Sequence, residues 1–408
     1  MVAFFRQNTL QLVAFIGLVL ATSAWSMSVG HVQEATARRK FKYSGMTFTD
    51  ERYCPNVSMS SERGKMSLRH LATTGANFVS IVVTQYQHLV NSTDIFPVYG
   101  SPIRCSVTPH GYCVTATDQE VIDTIRLAHE LGMGVMLKLQ IDLLSEPTYK
   151  IWRGFIGTNM TEEEWDLWFG SYTAALLHYA VIAEAEKVEM LSVSCELVTA
   201  SNKTSHWRKL VPLIRDVYNG TLTDSANWAP PGQPGEENDK TWWDLVDVIG
   251  IDEYQVKAFN ATAYKNGSFP TMADLAEVWR PIEKQLEALH KKWNKTIIFS
   301  EMGYCSGNEG YCFANGVRPP MSPLTTNASL QAQATQYDAA MTAMVKYEWF
   351  EGVFWWNWAT DAAFGGTNNA CMDPKFKPAE DMLRKWYNAT QPKPSPPPGM
   401  APICECWL

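Results

Sequence analysis

Strand-like and helix-like segments alternate along most of this chain, and that alternation restricts the fold more than any other feature of the sequence. Eight apolar runs with strand character are each followed by a helix-like run. The strand-like runs cover residues 41–48, 77–87, 134–144, 188–197, 221–228, 248–254, 296–304 and 352–358. The helix-like runs cover residues 60–74, 118–131, 161–187, 205–218, 241–246, 272–293, 329–347 and 378–387. This order predicts an α/β fold in which parallel strands close into a (β/α)₈ or TIM barrel.

The domain organisation follows from where this alternation is interrupted. The alternating region is long enough for one large barrel or for two smaller domains. No linker rich in proline or glycine divides it, so we predict one domain over residues 40–390, with a long surface loop at residues 230–238. Composition changes after residue 390, and the proline-rich residues 391–408 are predicted to form a flexible C-terminal tail.

The first residues have the pattern of a secretory signal peptide. Arg6 precedes an apolar block at residues 12–20, and the small residues Ala21, Ser23 and Ala24 follow it. The block is short for a bilayer span, so we predict a signal peptide over residues 1–26, with an uncleaved membrane anchor as the alternative. No later stretch is long and apolar enough to cross a membrane. The expectation is a secreted, extracellular protein with no stable membrane partner.

Glycosylation sequons point to the same compartment. Asn-X-Ser/Thr triplets contain more than half of the asparagines in the chain, which is far more than chance would place there. We therefore predict a glycoprotein modified in the secretory pathway. The sequon asparagines are Asn56, Asn91, Asn159, Asn202, Asn219, Asn260, Asn266, Asn294, Asn327 and Asn388.

The cysteines also fit an oxidising compartment. Two close pairs each enclose a short loop, as local disulfides do, and a third pair follows the first and the eighth strand-like runs, which a closed barrel makes neighbours. With nine cysteines, at least one must lack a partner within the chain. A zinc site is the competing interpretation, but the chain has no Cys-X-X-Cys pair and its histidines are scattered. The predicted pairs are Cys105 with Cys113, Cys305 with Cys312, and Cys54 with Cys371.

Two glutamates, Glu196 and Glu301, each stand at the end of an apolar strand-like run. In a barrel of this kind the carboxyl ends of the strands gather at one mouth, so acids far apart in sequence can meet there. Two facing carboxylates can cleave a glycosidic bond: a separation near ~5 Å favours retention through a covalent intermediate, and one above about 6.5 Å favours inversion. The alternative is structural, with each glutamate paired to a buried lysine or arginine.

Charge and aromatic content narrow the choice of partners. The net charge is −8, and the longest basic run is Arg38-Arg39-Lys40, which argues against a nucleic-acid partner. Sixteen tryptophans suit a sugar-binding cleft because flat rings match the apolar faces of pyranoses, although large cores also use tryptophan. No His/Asp cluster suggests a metal-dependent hydrolase, so no cofactor or metal is predicted, and the expected partner is an oligo- or polysaccharide.

Several motifs, in order along the barrel, carry a family resemblance. They are residues 84–87 (TQYQ), 135–138 (VMLK), 195–197 (CEL), 225–228 (SANW), 249–254 (IGIDEY), 298–304 (IFSEMGY) and 354–356 (FWW). Together they resemble glycoside hydrolase family 113, a member of the clan of (β/α)₈ retaining glycoside hydrolases whose known activity is mainly endo-β-1,4-mannanase. The resemblance implies a retaining hydrolase acting on β-linked glycans of the β-1,4-mannan type, which the signal-peptide pattern predicts to be secreted.

The resemblance also implies roles for individual side chains. Glu301 would be the nucleophile, with Tyr254 donating a hydrogen bond to it, and Glu196 would be the acid/base with a raised pKa. Polar residues near the strand ends would contact sugar hydroxyls, and one of two tryptophans on the eighth strand would form a platform beneath the sugar ring, unless both only fill the barrel. These substrate-binding candidates are Gln87, Lys138, Gln140, Asn227, Tyr254, Trp355 and Trp356.

Two departures from the family pattern define an alternative function. Cys195 stands where relatives carry an asparagine that contacts the 2-hydroxyl of the sugar, and a thiol is a poor hydrogen-bond donor. Leu139-Gln140 stands where the family tends to have Pro-His. These changes affect the expected substrate and turnover more than the fold. The alternative is therefore a carbohydrate-binding barrel with little or no catalytic activity.

Overall fold

The computed structural model describes residues 40–49, 57–100, 103–104, 112–145, 151–255, 269–307 and 325–402. Within them, eight parallel strands pair side by side and close into a barrel. The strands are β1 (Tyr43–Thr49), β2 (Phe78–Gln87), β3 (Gly134–Leu143), β4 (Met190–Cys195), β5 (Thr221–Asn227), β6 (Ile249–Asp252), β7 (Ile297–Met302) and β8 (Phe350–Ala359). Their order around the barrel is β1-β8-β7-β6-β5-β4-β3-β2, with β2 pairing back to β1. The predicted (β/α)₈ fold is confirmed.

Helices follow the strands and cover the outside of the barrel. They are α1 (Glu62–Thr73), α2 (Asp118–Glu130), α3 (Glu162–Ala185), α4 (Val198–Ser201), α5 (Thr204–Arg215), α6 (Glu236–Asp239), α7 (Met272–Trp293), α8 (Asn327–Met344) and α9 (Pro378–Trp386). Helix α3 shows why they begin where they do: the Thr161 hydroxyl accepts from the backbone N–H of Glu164, whose carboxylate accepts from the Thr161 N–H. This capping box satisfies backbone donors that the first helical turn leaves without partners.

An apolar layer fills the end of the barrel interior where the strands begin. It consists of Tyr43, Met136, Met190, Val248, Ile298 and Phe354, with Phe78 packed against it. Because side chains on a strand alternate between its two faces, these residues identify which later positions also face the interior. On β3, for example, Lys138, Gln140 and Asp142 follow Met136 at intervals of two and point to the same side. The polar part of the interior therefore lies toward the carboxyl ends of the strands.

Three segments differ from the sequence prediction. Residues 241–246 were expected to form a short helix, but the regular part is a 3₁₀ turn over Trp243–Leu245. The surface loop expected at residues 230–238 contains the start of α6, and Glu236 and Glu237 on it are buried. A two-stranded antiparallel ribbon, Ile103–Arg104 with Tyr112–Cys113, was not anticipated, because two-residue strands leave no periodicity in the sequence.

The proline-rich tail is not a free extension over its described part. Lys393 pairs with Asp381 of α9 at 2.9 Å, and Arg63 of α1 donates to the carbonyl oxygen of Ala401 at 2.6 Å. Pro394 and Pro397 help to line a cavity of about 360 Å³ against α1. The tail therefore contacts α1 and α9 through Ala401 and Lys393, and its flexibility stays a prediction. Residues 1–26 and 403–408 lie outside the described residues.

The cysteine and membrane predictions can be compared only in part. Cys113, Cys305 and Cys371 are disulfide-bonded, and Cys195 is free. The partners predicted for the three bonded cysteines, Cys105, Cys312 and Cys54, lie outside the described residues, so the pairing stays a prediction. Among the helices of the described ranges, none combines the length and the apolar character that a bilayer span requires.

Candidate active site

Glu301 lies on β7 at the carboxyl end of the barrel, and both oxygens of its side chain have partners. The ammonium of Lys138 on β3 donates to Oε1 at 2.7 Å, and the hydroxyl of Tyr254, just after β6, donates to Oε2 at 3.1 Å. Ser300 is an extra residue on β7 relative to β6 and forms a bulge there. Bulges commonly redirect side chains next to active sites. The predicted contact between Tyr254 and Glu301 is present.

Lys138 is completely buried and connects Glu301 to a second carboxylate. Its Nζ lies 3.8 Å from Oδ1 of Asp252, which ends β6, and 3.3 Å from the carbonyl oxygen of Ser300. Burial lowers the pKa of Lys138, but the charges of Asp252 and Glu301 outweigh burial and leave the pKa above its ordinary value. Lys138 therefore carries a fixed positive charge inside the barrel.

Glu196 follows β4, and its backbone is turned by an irregular strand end. The pairing of β4 with β5 shifts between Ser192 and Cys195, and Glu196 itself has a φ of 51°. Its N–H nevertheless donates to the carbonyl oxygen of Ser225 on β5 at 2.7 Å. A left-handed backbone is unfavourable for a glutamate, so the surrounding structure must hold it in this conformation.

Arg153 is the direct partner of Glu196. It lies on the 3₁₀ turn Arg153–Phe155 between β3 and α3, and its Nη1 is 2.7 Å from Oε2 of Glu196. Its Nη2 is 3.0 Å from Oδ1 of Asp142, the inward residue beyond Gln140 on β3. Burial raises the pKa of Glu196, the charge of Arg153 opposes that shift, and the charge of Glu301 adds to it. The net result is a raised pKa.

Cys195 and Gln140 lie between the two glutamates. The Cys195 thiol is 3.8 Å from Oε1 of Gln140 and 3.9 Å from Oδ2 of Asp252, and Ser300 donates to the other oxygen of Asp252 at 2.7 Å. Burial raises the pKa of Cys195 well above its usual value, so this residue is a neutral thiol. Nε2 of Gln140 also lies 3.4 Å from Oδ2 of Asp142, the partner of Arg153. Glu196 and Glu301 thus belong to one continuous polar network at the barrel mouth.

This network contains one group of potential metal ligands. The ligand atoms of Cys195, Asp252 and Glu301 lie within 4.8 Å of one another. However, the ammonium of Lys138 already contacts both carboxylates of this group. Because Lys138 supplies the positive charge here, the arrangement is that of an internal ion-pair network.

A second buried cluster supports the irregular end of β4 from outside the barrel. The Ser194 hydroxyl donates to Asp224 of β5, and Asp224 pairs with Lys240. Lys240 also lies 3.1 Å from Glu236 of α6, which accepts the backbone N–H of Asn227 at 2.8 Å. All four charged and hydroxyl side chains are buried. The cluster connects the residue before Cys195 to the end of β5 and fixes both.

Two of the residues proposed to contact sugar have buried side chains with partners inside the protein. Gln87 is fully buried; its Nε2 donates to the carbonyl oxygen of Leu89 at 2.7 Å, and its Oε1 accepts from Trp168 of α3 at 2.9 Å. Trp355 is also fully buried and stacks on Tyr337 of α8 with ring centroids 4.0 Å apart. Alternation along the strand explains both placements. The residues next to Gln87 and Trp355 point into the barrel, so Gln87 and Trp355 themselves point toward the helices.

The remaining candidates lie where a substrate could reach them or within the network. Asn227 ends β5 and is half-buried, as is Trp356 on β8, which follows Trp355 and so takes the inward side. Gln140 and Lys138 belong to the network between the glutamates. The sugar-binding roles of all four residues stay predictions.

Arg153, Asp142 and Asp252 were not identified as site residues from sequence. Asp142 could have been found, because it follows Lys138 and Gln140 at intervals of two on one strand. Asp252 stands at a strand end in the IGIDEY motif, which also contains the identified residue Tyr254. Arg153 gives no such signal, since it comes from a short turn far from any strand end.

A (β/α)₈ barrel with two glutamates in one polar network at its mouth defines a class of protein, the barrel-type glycoside hydrolases. Residues 46–379 match the sequence profile of Glycoside Hydrolase Family 113. The chain belongs to this family and is a glycoside hydrolase. That result favours the enzyme over a sugar-binding barrel without turnover.

Solved structures agree with this assignment. A GH113 β-1,4-mannanase is 26% identical with a TM-score of 0.66, over 86% of this chain and 99% of that one. The GH113 β-mannanase AaManA from Alicyclobacillus acidocaldarius, in complex with ManMIm, is 26% identical with a TM-score of 0.65, over 87% and 99%. A β-glucuronidase from Ruminococcus gnavus, 12% identical with a TM-score of 0.53 over 85% and 50%, shares the fold. No curated protein matches the chain.

Proposed function

We propose that this glycoside hydrolase cleaves β-linked glycans of the β-1,4-mannan type by double displacement. Glu301 is the nucleophile and Glu196 is the general acid and base. The observation that carries the proposal is the unequal environment of the two carboxylates within one network: Glu301 is fixed by Lys138 and Tyr254, whereas Glu196 has a raised pKa. Two carboxylates whose environments differ in this way suit the two roles.

The environment of Glu301 fits a nucleophile. Its counter-ion is the fully buried Lys138, and the hydroxyl of Tyr254 holds its second oxygen. Both contacts orient the carboxylate, so little reorganisation would precede attack on the anomeric carbon. The Cys195 thiol beside it is neutral and does not compete as a nucleophile.

The environment of Glu196 fits the acid and base. Burial and the charge of Glu301 raise its pKa, which favours the protonated form needed to protonate the leaving oxygen. Once Glu301 has formed the glycosyl intermediate its negative charge is lost, and one cause of the raised pKa disappears. Glu196 then becomes a better base toward water in the second step.

The mannan assignment rests on the similar solved structures, two of which are described as β-1,4-mannanases and one as a β-mannanase. At 26% identity they support a substrate class. A panel of β-1,4-linked manno-, gluco- and xylo-oligosaccharides with analysis of the anomer first released tests substrate and stereochemistry together. Faster cleavage of manno-oligosaccharides with retention is expected, and inversion would contradict double displacement.

Variants separate the two glutamate roles. Glu301→Ala removes the nucleophile and should abolish cleavage of every substrate. Glu196→Ala should abolish cleavage of manno-oligosaccharides but keep measurable release of an activated aryl leaving group, which needs no proton. Glu163→Ala, at an exposed position on α3, is the control and should match the parent. Parent-like rates in Glu301→Ala would end the assignment.

We also propose that the protein is a secreted glycoprotein with disulfides pairing Cys105 with Cys113, Cys305 with Cys312 and Cys54 with Cys371. Support comes from the exposure of the sequon asparagines in the described residues. These are Asn91, Asn159, Asn202, Asn219, Asn294, Asn327 and Asn388, and every one is exposed. Expression in eukaryotic cells with glycosidase digestion, N-terminal sequencing and a non-reducing peptide map tests this proposal. An intracellular, unglycosylated product would refute it.

A further inference from the structure

Two aromatic side chains stand on the turn that brings Arg153 to Glu196, and no step of the proposed reaction uses them. Trp152 directly precedes the 3₁₀ turn Arg153–Phe155 and is half-buried, and Phe155 ends that turn and is 46% exposed. Their rings meet edge to face, with centroids 6.4 Å apart and planes at 89°. Single exposed apolar side chains are ordinary, but adjoining rings next to an active site form a surface that can bind a ligand. We call Trp152 and Phe155 the aromatic pair.

The turn is attached at two points to the segment that carries Glu196. Arg153 donates through Nη1 to Oε2 of Glu196 at 2.7 Å. The carbonyl oxygen of Gly154 accepts from the hydroxyl of Thr199 on α4 at 2.9 Å, and α4 begins two residues after Glu196. The aromatic pair flanks Arg153 and Gly154 in the chain, so both of its residues adjoin the attached part of the turn.

Gly154 allows the indole of Trp152 to lie against the turn. A Cβ atom at position 154 would come within 2.6 Å of the Trp152 ring, which is closer than non-bonded carbon atoms approach. Any larger residue would therefore displace the indole. Because contact with the turn already limits the rotation of the ring, less side-chain freedom remains to be lost when a ligand binds.

We propose that the aromatic pair stacks against a sugar ring of the leaving part of the glycan, an inference that rests on the proposed role of Glu196 as the acid. The acid protonates the oxygen between the cleaved sugar and the leaving part, so a surface attached to the Glu196 segment adjoins the sugars beyond that oxygen. Flat rings match the apolar faces of pyranoses. The aromatic pair would therefore favour substrates that continue past the cleaved bond.

The test compares two substrates that differ in what leaves. Manno-oligosaccharides place sugars beyond the cleaved bond, whereas a β-mannobiosyl fluoride releases only fluoride. Trp152→Ala and Phe155→Ala should each lower kcat/KM for manno-oligosaccharides about tenfold, because each loses a stacking surface, and should change fluoride release by less than about twofold. Phe155→Tyr keeps the ring and should match the parent. Leu167→Ala, exposed on α3, is the control and should also match it.

Three results would overturn the proposal. The first is parental kcat/KM for manno-oligosaccharides in both alanine variants. The second is an equal loss on both substrates, which would assign the aromatic pair to the structure of the turn. The third is a loss accompanied by a shift of the basic limb of kcat/KM to higher pH, because that shift would indicate a displaced Arg153.

Binding without turnover distinguishes failure of this inference from failure of the proposed function. Glu301→Ala should bind manno-oligosaccharides measurably by calorimetry, and the double variant Glu301→Ala/Trp152→Ala should bind them about tenfold more weakly. A parent that cleaves none of them would contradict the proposed function. Equal affinities of the single and double variants, or no binding by either, would overturn the role of the aromatic pair.

Discussion

Replacing Lys138 with methionine removes a buried ammonium while keeping most of the side-chain volume. The carboxylates of Glu301 and Asp252, at 2.7 and 3.8 Å from Nζ, then lose their shared counter-ion in the barrel interior. Removing one partner of a buried ion pair costs about 3–5 kcal/mol. With an unfolding entropy of about 2.1 cal/mol/K per residue over roughly 350 residues, the expected fall in melting temperature is ~4–7 °C.

The loss should depend on pH in a defined direction. Burial and the charge of Glu301 already raise the pKa of Asp252 well above its usual value, while Lys138 opposes that shift. A carboxyl with a raised folded-state pKa destabilises the protein above that pKa, and the penalty disappears as the pH falls through it. Without Lys138 the pKa of Asp252 rises further, so the free-energy penalty of its ionised form grows. The deficit of Lys138→Met should therefore be largest at neutral pH and shrink toward the ordinary carboxyl range near about pH 4.

Differential scanning calorimetry of parent and variant from acid to neutral pH measures this deficit. The matched control is Lys291→Met, which removes an exposed ion pair to Glu287 on α7 and should cost at most about 1 kcal/mol. A Lys138→Met variant as stable as the control at neutral pH, or a deficit that does not change with pH, would refute the proposed network.

Three further predictions concern the site. Arg153→Met removes a charge that lowers the pKa of Glu196, so the basic limb of the profile of kcat/KM against pH should move to higher pH; an unchanged limb would contradict the acid role of Glu196. Gln87→Leu should lower the melting temperature with KM unchanged, because that side chain bonds only within the protein interior, and a raised KM with parent stability would oppose its placement. Trp356→Ala should raise KM for oligosaccharides with a small stability loss, whereas Trp355→Ala should cost about 3–5 kcal/mol with KM unchanged, and the reverse pattern would exchange their roles.

The barrel could be predicted because each strand is a short apolar run and helices such as α3, α7 and α8 begin with capping sequences. The run before Glu301, for example, becomes β7 almost residue for residue. Strand ends could also be located well enough to identify Glu196, Glu301 and Tyr254 together. The sequence was sufficient for these features because a parallel strand that is buried on both faces is a nearly continuous apolar run.

Side-chain direction at the strand ends was the part that sequence could not supply. Gln87 and Trp355 stand beside plausible site positions but face the helices, and counting from Phe78 and Phe354 of the inner layer gives the correct side only once that layer is known. At Glu301 even such counting fails, because a bulge adds a residue before it. A bulge depends on pairing between strands and has no sequence signature of its own.

The two cations of the site come from different parts of the fold, and each acts on a different glutamate. Lys138 lies on a strand in the closed interior, so its contact with Glu301 cannot be broken without disturbing the barrel. Arg153 lies on a single 3₁₀ turn between β3 and α3, outside the strands of the barrel, and its Nη1 is 2.7 Å from Oε2 of Glu196. Loss of that contact would raise the pKa of Glu196 further and favour the protonated acid. Lys138 thus positions Glu301, whereas Arg153 limits how far the pKa of Glu196 rises.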